Sequence, residues 1–308
     1  MPDVTSPVLP SGPTGHFLGQ AGRTQPVVAA ILGVFFIAGG QLLVSVPAQL
    51  LGAGRSPAAS SVLLLASFIP VWVLLWAWMH FVEHRPLRRI GLDGRRRDVL
   101  IGIGIAAGIL TLDAVVMAAT GQLSFHWAGV SAAGFSGIAA ILVLFTIQGS
   151  AEEAVVRGFV MQGVGAGWGV WAGLLVQAGI FAVLHGSNPG VTSVALANVA
   201  AFGIMLGLLV LWRGDLWAAM GFHAVWNWAQ AMVLGYDVSG LGFGSSILTQ
   251  QTSAGAATSL TGGTFGAEGS VITLAALILV IAALGWAWRR SLTLPPAGPR
   301  QQLGAPPH

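Results

Sequence analysis

Residues 134–162 read GFSGIAAILVLFTIQGSAEEAVVRGFVMQ. The stretch exceeds the roughly 20 apolar residues that a helix needs to cross a bilayer, yet its second half holds Glu152, Glu153 and Arg157. A charge at a helix centre costs about 2.5–3.5 kcal/mol on insertion scales, so these groups must pair or face a wet space inside protein. Glu153 and Arg157 are four apart and share a helix face, where they can pair. Glu152 is rotated about 100° away, which leaves it free to act as a general base in a low-dielectric site. The simpler alternative is that both acids only neutralise Arg157.

The rest of the chain has the same character. Of 308 residues, 55% are hydrophobic and 7% charged, against roughly 25% charged in a soluble domain. So little charge cannot cover a water-facing surface. The 44 glycines suit helices that pack closely in lipid. Without cysteine, disulfides, thiolate metal sites and a cysteine nucleophile are excluded. The basic residues are all arginine, which suggests a GC-rich bacterial genome and hence the inner (plasma) membrane. The pI of about 11.0 reflects few acids, and no basic, aromatic-interleaved face points to nucleic acid.

Apolar runs cover 27–51, 59–82, 99–119, 134–162, 169–186, 191–212, 215–235 and 271–288. They predict an all-α fold, a polytopic membrane helix bundle of about eight transmembrane helices. Residues 1–25 and 291–308, rich in Pro and polar residues, are expected to be disordered tails around a membrane domain over 26–290. The first run is long enough to span, so no cleaved leader is expected. The Gly-, Ser- and Thr-rich segment 236–270 is expected to be a loop or a partly ordered cap. With eight spans, Arg23, Arg85, Arg88, Arg89, Arg95, Arg96, Arg97, Arg213, Arg289, Arg290 and Arg300 fall on one side and Arg55 on the other. Positive charge marks the cytoplasmic side, so both termini are expected there. Trp168, Trp171, Trp212 and Trp217 lie near helix ends, as interfacial anchors do.

Few polar residues interrupt these runs. His223 and Asn227 are four apart and can aim at one point, or can serve as polar glue between helices. His185 precedes Gly186 and can cap the carbonyls of a helix C-terminus. Asn198 and Asp113 suggest no role. At 1.5 Å per residue, Glu152 and His223 come out at similar depths, but His185 lies too far out. A late start of its helix, near Gly173, and a break at Gly186 would bring it back.

Together the polar residues make three ordered motifs: Glu152-Glu153-x-x-x-Arg157, Phe181-x-x-x-His185 and His223-x-x-x-Asn227. Over residues 130–235 the chain resembles the CAAX prenyl endopeptidase and bacteriocin-processing family of intramembrane proteases, the Ras-converting-enzyme type. The resemblance implies an endopeptidase acting on a membrane-associated peptide or protein. It casts Glu152 as the base that activates water, His185 as a residue that positions that water, and His223 with Asn227 as oxyanion donors. Glu153 and Arg157 would support them. The family is described both as metal-dependent and as metal-independent. Glu152, His185 and His223 would be the ligands of a Zn²⁺ ion, but no His-Glu-x-x-His helix is present, and the expectation here is no metal. Two other readings suit intramembrane carboxylates and histidines: a proton-coupled transporter, with Asp113 in the relay, and a non-catalytic scaffold or immunity protein of the same fold.

Overall fold

The computed structural model describes residues 8–54 and 56–293. Its helices, in chain order, are α1 (Gly12–Leu18), α2 (Pro26–Leu50), α3 (Pro57–Ala66), α4 (Phe68–Ala77), α5 (Val99–Ala119), α6 (Ala132–Glu153), α7 (Gln162–Trp168), α8 (Val170–His185), α9 (Ser193–Arg213), α10 (Trp217–Trp228), α11 (Thr258–Thr261) and α12 (Val271–Thr293). Wider π-helical turns extend α4 over Trp78–Val82 and α10 over Ala229–Val233, and another, Ala154–Met161, joins α6 to α7 without a break. Side-chain oxygens start several helices. Ser131 accepts from Gly134 N at 3.2 Å and Thr192 from Ala195 N at 3.1 Å, each satisfying a donor that the first turn leaves open.

Helix occupies all eight apolar runs, and six stretches are long and apolar enough to cross a membrane: Pro26–Leu50, Ala59–Val82, Arg96–Ala119, Ala132–Trp168, Ser193–Arg213 and Val271–Thr293. The other two, α8 and α10, are short. The 16 residues of α8 rise about 24 Å, less than the roughly 30 Å hydrocarbon layer. The protein is an integral membrane helix bundle with six such spans and two shorter helices packed among them. α9 is the central one, with 72% of its apolar window buried against 22–33% in the others. It packs on α8 and α12, and α10 packs on α5 and α6. The α5–α10 contact requires glycine: a Cβ on Gly102 would fall 1.8 Å from the carbonyl oxygen of Ala218.

Three expectations need correction. First, the described part of the 1–25 tail is folded. α1 buries Phe17 and Leu18, and Thr14 Oγ1 donates to Leu211 O at 2.9 Å while accepting from Trp288 Nε1 at 2.9 Å. This apolar anchor is too short to show a period among its prolines and glycines. Second, α12 runs to Thr293, past the expected tail boundary; residues 294–308, Arg300 among them, and Arg55 lie outside the described residues. Third, α8 begins at Val170, not near Gly173. The mismatch in depth came from ending the fourth run at 162. Its helix continues to Trp168, and Gly169, at φ 97°, reverses the chain at once. Glu152 stands sixteen residues before Trp168 and His185 fifteen after Val170, roughly 24 and 23 Å from the same turn. The break at Gly186 is observed.

The two ends of the bundle differ. At one end Arg213 Nε bonds Asp98 Oδ2 at 2.7 Å, Arg95 N donates to Asp215 at 3.0 Å, and Ser11 Oγ reaches Leu292 O at 3.4 Å. Arg85, paired with Glu83, donates to Gln20 O at 2.6 Å. These contacts gather the 83–98 connection, the C-termini of α9 and α12, and α1. At the other end, strands β1 (Leu123–Trp127) and β2 (Leu248–Thr252) pair antiparallel, Leu123 facing Thr252. Segment 236–270 is thus an ordered cap, and Asn198 in α9 ties it down by donating to Glu268 O at 2.7 Å and Ser270 O at 2.9 Å.

Candidate active site

Four buried polar groups meet where α6, α8 and α10 converge. Glu153 Oε1 accepts from Arg157 Nη1 at 2.9 Å, and both side chains are fully buried. The same oxygen lies 2.8 Å from His223 Nδ1. An ionised carboxylate only accepts, so Nδ1 carries the proton of that contact, and the ring's other nitrogen, Nε2, stands 3.6 Å from Glu152 Oε2. Glu153 therefore does two things, neutralising Arg157 and orienting His223. The guanidinium of Arg157 also lies 4.4 Å over the Phe181 ring, a favourable cation–π arrangement. Phe181 in turn packs edge-on to His223, 6.1 Å between centroids.

Glu152 is held differently. Its Oε1 accepts from Gln148 Nε2 at 2.8 Å, while Oε2 is buried with no hydrogen-bond partner. Gln148 Oε1 accepts from Asn227 Nδ2 at 2.9 Å, so one glutamine ties the carboxylate of α6 to the amide of α10. Gly149, on the same turn, makes room for the imidazole: a Cβ there would lie 3.1 Å from His223 Cγ.

Glu152, His185, His223 and Asn227 all line one cavity of about 410 Å³. It is also bounded by α2, α3, α9 and the cap, at Ile37, Leu65, Val199 and Ser239. His185 ends α8. Its Nδ1 lies 2.9 Å from Phe181 O, as a C-terminal capping histidine would, and the residue is among those that line the cavity. Among the described residues no three His, Cys, Asp or Glu side chains are grouped to hold a metal ion.

Two lining residues escaped the sequence reading. Gln148 is one helical turn before Glu152, and a glutamine inside an apolar run was the available signal. Glu268 comes from the cap, where it is the only acid after Asp237. Asp113 does not line the cavity; it accepts from Thr273 Oγ1 at 3.1 Å and Tyr236 OH at 3.4 Å, linking α5, α12 and the cap.

A protein-family model, Type II CAAX prenyl endopeptidase Rce1-like, matches residues 134–229. The match covers a little under a third of the 308 residues and contains all three motifs. No curated protein matches the chain, and no solved structure does. Across the segment that carries every polar group converging on the cavity from α6, α8 and α10, the chain is similar to the Rce1-like type II CAAX prenyl endopeptidases, a family of membrane proteases.

Proposed function

We propose that the protein is an intramembrane endopeptidase that hydrolyses a peptide bond of a membrane-associated peptide or protein. The observation that carries this reading is the open valence of Glu152: a buried carboxylate oxygen without a partner, 3.6 Å from an imidazole nitrogen, on the wall of a cavity. Two acceptor or donor atoms at that separation can share one water at ordinary hydrogen-bond lengths of about 2.8 Å.

In this mechanism Glu152 Oε2 takes a proton from that water as its oxygen attacks the scissile carbonyl carbon. His185 holds the water from the α8 side. The carbonyl π electrons move to oxygen, and the oxyanion is met by His223 Nε2–H, in the doubly protonated ring, and by the second Nδ2 hydrogen of Asn227, the first being given to Gln148. Each such donor contributes roughly 2.7–4 kcal/mol of transition-state stabilisation in soluble proteases. The tetrahedral carbon then expels the amine, which takes the proton held by Glu152. Glu153 and Arg157 stay unchanged throughout and hold the ring in register. Glu152 is the only activating group in this scheme, so cleavage is expected to survive EDTA and phenanthroline.

The arginine-bearing end faces the cytoplasm in this reading, which puts both termini there, consistent with the charge rule. The deciding experiment is cleavage of a peptide library by the full chain in nanodiscs, with Glu152→Gln alongside. Abolished cleavage in a variant that still folds supports hydrolysis. Full activity of Glu152→Gln, or transport of a solute without any cleavage, overturns it.

A further inference from the structure

The cap brings a second carboxylate to the cavity, and its surroundings lack one thing. Glu268 is 5% exposed and lines the same cavity as Glu152. Its Oε1 accepts from Trp226 Nε1 at 2.9 Å and its Oε2 from Ser239 Oγ at 2.5 Å. Its backbone carbonyl accepts from Asn198 Nδ2 at 2.7 Å. Two segments thus fix the side chain and a third holds its backbone, and Trp226 adjoins Asn227 on the helix that also carries His223.

Both donors to the carboxylate are neutral, so its hydrogen bonds are met while its charge is not. Several buried acids have a cation: Glu153 pairs with Arg157, Glu83 with Arg85, and Asp98 with Arg213; Asp113 is held by the neutral donors Thr273 and Tyr236 but, unlike Glu268, does not line the cavity. Among the described residues no arginine or histidine forms an ion pair with Glu268. A buried charge with no counter-charge is costly, and nearby wall residues such as Phe202, Leu206 and Phe222 are apolar and offer no compensation. An occupant of the cavity can supply what the protein omits. Small sites of this kind commonly pair an apolar lining with a few placed polar groups that fix orientation.

We infer that Glu268 is a specificity residue that recognises an arginine or lysine side chain of the peptide substrate, placed beside the scissile bond; this rests on the reading of the site as a protease. The Trp226 and Ser239 contacts hold the carboxylate in place, and the incoming cation completes a charge-assisted hydrogen bond in a low-dielectric space, the strong kind. The cap therefore reads the peptide while α6, α8 and α10 cut it.

The test uses N-acetylated decapeptide libraries, so that no free amine competes, with either arginine or glutamine fixed at each position in turn. The full chain in nanodiscs is assayed by mass spectrometry. At one position relative to the cut, kcat/KM should favour arginine by roughly tenfold or more. Glu268→Gln should bring that ratio close to one, and Glu268→Asp should retain part of it. No arginine preference at any position, or a Glu268→Gln variant that slows both peptides by the same factor, overturns the inference. Should the wild type cleave nothing, the protease reading fails, and binding decides separately. The Glu152→Gln protein should hold the arginine peptides more tightly than the glutamine peptides by thermophoresis, and Glu152→Gln/Glu268→Gln should not. Equal binding of both peptides to Glu152→Gln overturns the recognition role as well.

Discussion

Asp113 and Glu152 are both carboxylates buried in long apolar helices, and the bundle treats them differently. Asp113 has both oxygens engaged, by Thr273 and Tyr236, away from the cavity. It ties α5 to α12 and the cap. Glu152 has one oxygen engaged by Gln148 and the other left open beside His223, on a cavity wall. An acid in a membrane span is by default a functional hypothesis. Here the hypothesis turns on hydrogen-bond completion together with access to the cavity: Glu153 Oε2 also lacks a hydrogen-bond partner, but its carboxylate is paired with Arg157 and does not line the cavity, whereas Glu152 does.

The sharpest way to break that contrast is to neutralise Glu152. Glu152→Gln should lower cleavage by about 10²–10⁴-fold, the usual contribution of a positioned base, with little change in thermal unfolding in detergent. Next is the ion pair behind it. Arg157→Met leaves Glu153 buried without its cation and should destabilise the fold by roughly 3–5 kcal/mol, whereas Glu153→Gln with Arg157→Met removes both charges and should recover part of the loss. Denaturant titration of the two variants measures the difference, and equal stability would mean that the pair is not the structural element argued for.

Smaller effects sharpen the comparison. Gly149→Ala sets a methyl 3.1 Å from His223 Cγ. Overpacking costs about 1–3 kcal/mol, and it should appear mainly as a reduced cleavage rate, because the imidazole is the group displaced. Asp113→Asn should cost only about 0.5–1.5 kcal/mol, the net worth of one hydrogen bond, and leave cleavage at the wild-type level. A loss of activity in Asp113→Asn with folding intact would put Asp113 in a proton path and revive the transporter reading.

Much of the site was legible because helix periodicity is local. Glu153 and Arg157 at i and i+4 had to share a face, and the pair is observed. The second role of Glu153, as the acceptor that orients His223, was not legible, because those residues are 70 positions apart and nothing local sets which carboxylate an imidazole meets. Gln148 was overlooked for a related reason: its amide matters only once Asn227 lies opposite. The error over α8 was one of boundary. A glycine-rich stretch over 163–169 looks like the end of a helix, but in a buried setting Gly163 and Gly165 remain helical and only Gly169 breaks the chain.

The amino-acid order alone determined that this chain lives in a bilayer, that its helices follow its apolar runs, and that a few costly polar residues sit within them. Those properties follow from solvation and from a 3.6-residue period, both local. Tertiary structure decided which of those residues are quenched and which stay open, that Glu268 on the cap joins them, and that α1 is anchored. Each of these depends on which groups from distant segments come within about 3 Å of one another, and that is set by how helices pack, through contacts such as Gly102 on Ala218 and Gly149 on His223.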